Sequence, residues 1–175
     1  MKQSSVVVLL FCISSVLATV QVATKCPDGW QWFKRSRGGW CMKVYNGAMS
    51  QKDAEAKCKT EGATLSGVQN KEEMKWMGDE LIAISGKNGR IWIGLHRTDQ
   101  CMSGGLTATC TALSSFYWTD GSTVGVSGFK WGAGEPNNMN GQACGIVWAQ
   151  AQTMDDMGCD QTVTEALVCG KIATF

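Results

Sequence analysis

Apolar and polar positions along this chain follow two periods, one of two residues and one near 3.6, and the switches between them mark its elements. After the turn at Cys26-Pro27-Asp28-Gly29, apolar and aromatic runs at 30–33 and 40–45 flank a turn-rich stretch at 35–39, the pattern of a hairpin. The helical period then takes over. Ser50 reads as an N-cap whose hydroxyl accepts from the amide of Asp53, an acid in the first turn where the helix dipole favours it. Ala54 and Cys58 share one face of this helix, and Gly62 stops it in the left-handed conformation. Asn70 caps a second helix with Glu73 three residues on. Met74, Met77, Leu81 and Ile84 follow at helical spacing, and Gly86 ends it.

Beyond that point the pattern reads as strand. Ile91-Trp92-Ile93-Gly94-Leu95 is short, β-branched and aromatic, a buried strand. Phe116-Tyr117-Trp118 runs into the turn Asp120-Gly121. Residues 119–142 are rich in Gly, Asn and Ser, with Phe129 and Trp131 as scattered apolar anchors, and a loop of that length inside a compact domain is usually functional. Strands at 144–148 and 166–169 complete the pattern. No internal repeat, heptad or low-complexity linker interrupts it.

The composition fits one folded domain. Of 175 residues, 44% are apolar and 18% charged, a balance that supports a packed core and excludes a disordered chain. The N-terminus differs from the rest: Lys2, an apolar run at 6–17 and small residues near Ala18 predict a secretory signal peptide over 1–18, with Ala23 as a weaker cleavage point. The domain then spans 19–175, and its expected location is extracellular. The apolar run is too short to span a bilayer comfortably, and no other long one follows, so no membrane anchor is expected. Loss of Lys2 leaves basic side chains equal to the 15 acidic ones. A neutral balance gives no electrostatic case for nucleic acid or an anionic membrane as partner.

Cys12 lies in the leader, and eight cysteines remain: Cys26, Cys41, Cys58, Cys101, Cys110, Cys144, Cys159 and Cys169. An even set in a secreted chain reads as a disulfide framework, and no close pair of the zinc-ribbon type is present. Eight cysteines admit roughly a hundred connectivities. Within the local pattern, Cys26–Cys41 would staple the first hairpin and Cys101–Cys110 would close a Gly/Thr-rich loop.

The chemistry concentrates in one stretch. Trp131-Gly132-Ala133-Gly134-Glu135-Pro136-Asn137-Asn138 is followed by Gln142 and Cys144, then by Asp155, Asp156 and Cys159. Glu135, Asn137, Gln142, Asp155 and Asp156 are hard oxygen donors on both sides of a cysteine-bounded strand. Ca²⁺ takes about six to eight such oxygens, whereas zinc prefers the imidazole and thiolate this stretch lacks. Pro136 can turn the chain through a cis bond and aim its neighbours at one point. Catalysis is not expected. His96 is the one histidine and has no nucleophile near it in the pattern. Asp155 and Asp156, adjacent on a strand, would point apart and not flank one bond as glycosidase acids do.

Together these residues resemble the C-type lectin-like domain family: Trp92-Ile93-Gly94-Leu95, Trp118-Thr119-Asp120-Gly121, Phe129 with Trp131, Glu135-Pro136-Asn137, and Cys144 to Cys169, in family order over about residues 26–173. The resemblance implies an α+β double-loop fold, two helices with small antiparallel sheets, stapled by disulfides. It implies the pairs Cys58–Cys169, Cys144–Cys159 and Cys26–Cys41, which leave Cys101–Cys110. It implies a cis Pro136 and a calcium site in which Glu135, Asn137, Gln142, Asp155 and Asp156 bind both the ion and a sugar. The chain departs from the family pattern at three positions. Gln142 replaces a Glu, Asp155 an Asn and Met154 a Trp, so the formal ligand charge is unchanged and packing behind the loop is expected to loosen at Met154. By resemblance, acid before amide favours mannose, N-acetylglucosamine or fucose. The expected partners are glycans or glycoproteins, in a defence role. No neck or collagen-like tail is encoded, so multivalency would come from a homo-oligomer. A calcium-independent member that binds protein or another non-sugar ligand is the alternative.

Overall fold

The computed structural model describes residues 23–175, so the predicted leader over 1–18 lies outside the described residues. The hairpin forms as β1 (Gln31–Arg35) and β2 (Gly38–Asn46). Next come α1 (Gln51–Thr60), a two-residue β3 (Thr64–Leu65) and α2 (Lys71–Ser85). The rest is β4 (Arg90–Arg97), β5 (Phe116–Trp118), β6 (Cys144–Trp148), β7 (Thr153–Met157) and β8 (Ala166–Ile172).

Both helix starts follow from their caps. Ser50 Oγ accepts from the Asp53 amide at 3.2 Å, and Asn70 Oδ1 from the Glu73 amide at 3.0 Å. Gly86 ends α2 in the left-handed conformation, where a Cβ would be strained. The buried face of α2 carries Met74, Met77 and Leu81, but Ile84 is 45% exposed, so the core-facing stripe ends one turn before the helix does.

The strands join in the order β1-β2-β8-β4-β6-β7, with β3 on β8 and β5 on β4. All neighbours are antiparallel except β4 and β8, whose parallel contact is confined to Ile91 with Ala166 and Trp92 with Leu167. Two antiparallel groups are therefore sewn together through the strand that carries Trp92. Gly94 permits this crossing: a Cβ there would lie 2.3 Å from the Leu65 carbonyl oxygen.

Two apolar clusters fill the interior. One packs Met74, Met77 and Leu81 of α2 against Trp40, Met42, Ile91, Ile93 and Val168. The other packs Ala54 and Cys58 of α1 against Trp92, Ile146, Leu167 and Cys169. Among the described residues the bridges are Cys26–Cys41, Cys58–Cys169, Cys101–Cys110 and Cys144–Cys159.

Charge is buried in this core as well. Arg35, which the sequence places at a turn, ends β1 with its side chain wholly buried. It donates to both oxygens of Glu73 at 2.8 and 2.7 Å, and to Asp120 at 2.9 Å. Glu73 thus joins hairpin to helix, and its carboxylate also accepts the Gln69 amide at 2.8 Å. Asp120 starts the long loop and accepts the amides of Ser122 and Thr123. Burial works to raise the Asp120 carboxyl, but Thr123 and the Arg35 guanidinium prevail and hold it below the usual range.

Candidate functional site

The long loop folds back onto β7. Gly132 donates its amide to the Met154 carbonyl at 2.8 Å, and Met154 donates to Lys130 at 2.7 Å, so residues 130–132 run along the open edge of that strand. An aromatic group anchors the return: Trp118 stacks on Phe129 at 4.8 Å, Phe116 packs on Trp131 at 5.0 Å, and the Trp131 indole donates to the Ala112 carbonyl at 2.8 Å. Met154, where looser packing is expected, is instead fully buried. Its unbranched side chain fills the space, as methionine does in irregular cores.

This edge pairing delivers Glu135 to the two aspartates. The Glu135–Pro136 bond is cis. One carboxylate oxygen from each of Glu135, Asp155 and Asp156 lies within 4.8 Å of the others. Asp155 and Asp156, expected to point apart, differ in burial but keep a carboxylate oxygen each within 4.8 Å of the other. Asp155 turns to the Trp148 indole, which donates at 3.1 Å, and Asp156 turns inward and is buried. Glu135 sits where it can meet an oxygen of each.

The amides sit beside the acids. The Asn137 amide N–H donates to Glu135 Oε2 at 3.1 Å and to Asp156 Oδ1 at 2.9 Å. The Asn138 amide donates to Asp156 Oδ2 at 2.8 Å. The side-chain oxygens of Asn137 and Gln142 both accept the Met139 N–H, at 2.7 and 2.9 Å, and so converge on each other. The fold thus brings together the acids Glu135, Asp155 and Asp156, while the side-chain oxygens of Asn137 and Gln142 are held on the Met139 amide at the loop tip.

Electrostatics mark the same place. Burial, then the charges of Asp155 and Asp156, push the Glu135 carboxyl up to about 7. Asp155 is also raised, chiefly by burial. Carboxylates this close repel one another unless a proton or a cation intervenes. The donor chemistry fits a hard divalent ion: carboxylate and amide oxygens, with no thiolate or imidazole among them.

One residue of the site escaped the sequence reading. Arg97 ends β4 with its side chain wholly buried and forms an ion pair with Asp156. Its Nε donates to the Gln142 carbonyl at 2.9 Å, and its guanidinium lies 4.6 Å from the centre of the Phe116 ring. It ties the loop tip and β7 to the central sheet. Arg97 Nη1 and Asn138 Oδ1 are buried without a partner among the described residues, whereas buried polar side-chain atoms are nearly always paired. The only sequence signal for Arg97 is a charge directly after an apolar strand, which by itself reads as the strand's end.

His96 lies apart from this region. Its Nε2 is 3.0 Å from Gln51 Oε1 and 3.6 Å from Cys144 Sγ, and burial holds its pKa below the usual value.

Comparison with known proteins places the architecture in context. A family model described as C-type lectin domain-containing protein 141/158 matches residues 33–170. The galactose-specific lectin nattectin of Thalassophryne nattereri is 28% identical over 130 residues, covering 73% of this chain and 72% of that protein. A C-type lectin mannose-binding isoform of Oxyuranus scutellatus is 25% identical over 127 residues, covering 71% and 69%. Among solved structures, a calcium-independent type II antifreeze protein superposes with a TM-score of 0.63 at 26% identity, over 86% of this chain and 97% of that one.

Proposed function

This chain belongs to the C-type lectin domain family, and we propose that it is a secreted lectin that binds mannose-type glycans through a calcium ion held at Glu135, Asn137, Gln142, Asp155 and Asp156. The observation that carries this reading is the meeting of three carboxylates from two segments of the chain, with Glu135 pushed up to about 7 by burial and then by the charges of Asp155 and Asp156. A cluster of this kind costs the fold repulsion, which a divalent cation would remove. With Arg97 already paired to Asp156, full ionisation leaves two negative charges uncompensated, the complement of one Ca²⁺.

When bound, Ca²⁺ supplies a partly filled shell whose waters two neighbouring sugar hydroxyls can replace. The chain's own groups then select the hydroxyls. Each hydroxyl has one proton to give and lone pairs to accept with. Glu135 accepts the proton of one, and the Asn137 amide donates to the lone pair of its neighbour. Acid and amide serve ion and sugar together, so sugar binding is lost when calcium is removed. The order Glu135-Pro136-Asn137 supports mannose, N-acetylglucosamine or fucose, and the mannose-binding relative of Oxyuranus scutellatus is in line with it. The galactose-specific relative makes galactose the natural control.

A calcium-independent reading has one observation in its favour. Arg97 and the amides of Asn137 and Asn138 already satisfy Asp156 from within the chain. The calcium-independent antifreeze protein of like fold points the same way.

Retention on mannose-agarose, with calcium and then with EDTA, separates the two. Release by EDTA is the expected result. Retention that EDTA leaves untouched, or calorimetry with no calcium uptake, overturns the calcium bridge. Asn137→Asp, alone or with Glu135→Gln, should weaken or redirect mannose binding while leaving the melting temperature of the domain in place.

A further inference from the structure

We propose that Trp148 is a positioning residue of the carboxylate cluster: its indole N–H holds one oxygen of Asp155, so that the other is presented to the ion in a fixed place. This inference rests on the calcium reading above and goes beyond it, because it gives a role to a residue that is not itself an ion ligand.

The register of the sheet makes the pair. Trp148 lies opposite Thr153 where β6 and β7 meet, and Asp155 lies opposite Ile146. Trp148 and Asp155 are therefore diagonal neighbours on one face of the two strands, a separation that an aromatic side chain can span. Trp148 Nε1 donates to Asp155 Oδ2 at 3.1 Å. The turn between the strands holds this register, since Gln152 donates its amide to the Trp148 carbonyl at 2.8 Å. The ring is fixed from the β4 side as well. Arg90 pairs with Trp148 across β4 and β6, and its guanidinium lies 5.4 Å from the ring centre. Glu165 fixes Arg90 in turn: its Oε1 accepts from Nη2 at 3.2 Å and its Oε2 accepts the Arg90 amide at 2.6 Å.

Core packing does not account for this tryptophan. It is 36% exposed and belongs to neither apolar cluster. The chemistry of its partner does account for it. A carboxylate has two acceptor oxygens, whereas a side-chain amide has one, and an indole N–H can only donate. Asp155 can therefore give one oxygen to the indole and keep the other for a cation, with its rotation stopped. Partners that orient a metal ligand in this way typically change metal affinity by about 10–100-fold.

Calorimetric titration of the intact protein with calcium alone tests this, in the wild type, Trp148→Phe, Asp155→Asn and the double variant. Trp148→Phe keeps a ring beside Arg90 and removes the N–H. It should leave the melting temperature in EDTA in place and weaken calcium binding about tenfold. Calcium should also change the tryptophan emission of the wild type, and that change should shrink in Trp148→Phe. In the Asp155→Asn background the loss should vanish or reverse. There the indole and the ion claim the same single oxygen, and removing the N–H releases it to the ion. Calcium binding by Trp148→Phe at the wild-type level overturns the inference and leaves the calcium reading standing. So does a loss of the same factor in both backgrounds, which is the mark of a packing contact. A double variant that takes up no calcium also overturns it, because the released amide oxygen should then serve the ion. No calcium uptake by the wild type overturns the calcium reading, and this role with it.

Discussion

At the scale of single residues, the site is a contest between carboxylates and the cations offered to them. Glu135 is raised to about 7 by burial and by Asp155 and Asp156, well above its value in an unfolded chain. A carboxyl raised on folding contributes stability that is fully present below its unfolded pKa and is lost as pH rises through the folded one. In EDTA the melting temperature should therefore fall between about pH 4.5 and about pH 7, the window set by the unfolded and folded values. Calcium should reverse this, and its stabilising shift should be larger at pH 7.5 than at pH 5, where it must displace the proton. Thermal melts at both pH values, with calcium and with EDTA, check the sign. A melt that rises with pH in EDTA contradicts the crowding of these acids. Arg97 is the counterweight inside the site. Replacing it by Met removes the partner of a buried Asp156 and should cost about 3–5 kcal/mol. Adding Asp156→Asn should recover part of that loss but not calcium uptake. Urea unfolding of the two variants measures the recovery, and limited proteolysis around residues 137–142 reports whether the loop has come free.

At the scale of elements, caps and periods carried the sequence reading where burial is apolar, and failed where a charge is buried. Ser50, Asn70, Gly62 and Gly86 bound the helices because each solves a local problem of unpaired amides or handedness. Strand β7 escaped delimitation because its inward positions are Met154 and Asp156, and a carboxylate at a core position breaks the alternation. The missing half of that pattern is Arg97, 59 residues earlier in the chain. No local window holds both. The three acids that the fold brings together were legible because such residue types are unusual so close to one another in a chain; the guanidinium that pairs with one of them was not. The same logic hides Arg35, whose partners Glu73 and Asp120 lie 38 and 85 residues away. There the ion pairs tie β1 to α2 and to the start of the long loop. Arg35→Met should leave two buried acids without their cation and destabilise the fold by about 3–5 kcal/mol. Its urea midpoint should fall with little change in slope. A slope that also falls would place the loss in cooperativity between the hairpin and the rest.

At the scale of the whole molecule, the disulfides divide into one that closes the domain and three that fasten local parts. Cys58–Cys169 joins α1 to the central strand β8 across 111 residues, while the other separations are 15, 15 and 9. Constraint of the unfolded chain grows with the logarithm of the closed loop, so removing the long bridge should cost about 5 kcal/mol and the shortest about 3 kcal/mol. The functional consequences should run in a different order. Cys101–Cys110 lies in the segment that docks on the site: Asn138 donates its side-chain amide to the carbonyls of Met102 at 3.2 Å and Gly104 at 2.6 Å. The Cys58–Cys169 bridge lies instead in the core beneath α1. Paired alanine replacements at Cys58 and Cys169 should thus lower the melting temperature most yet leave calcium and glycan affinity near the wild-type value below that temperature. Serine replacements at Cys101 and Cys110 should melt later but bind less. If both pairs change stability and affinity in the same proportion, the site loop draws its order from the fold as a whole and not from its own fastenings.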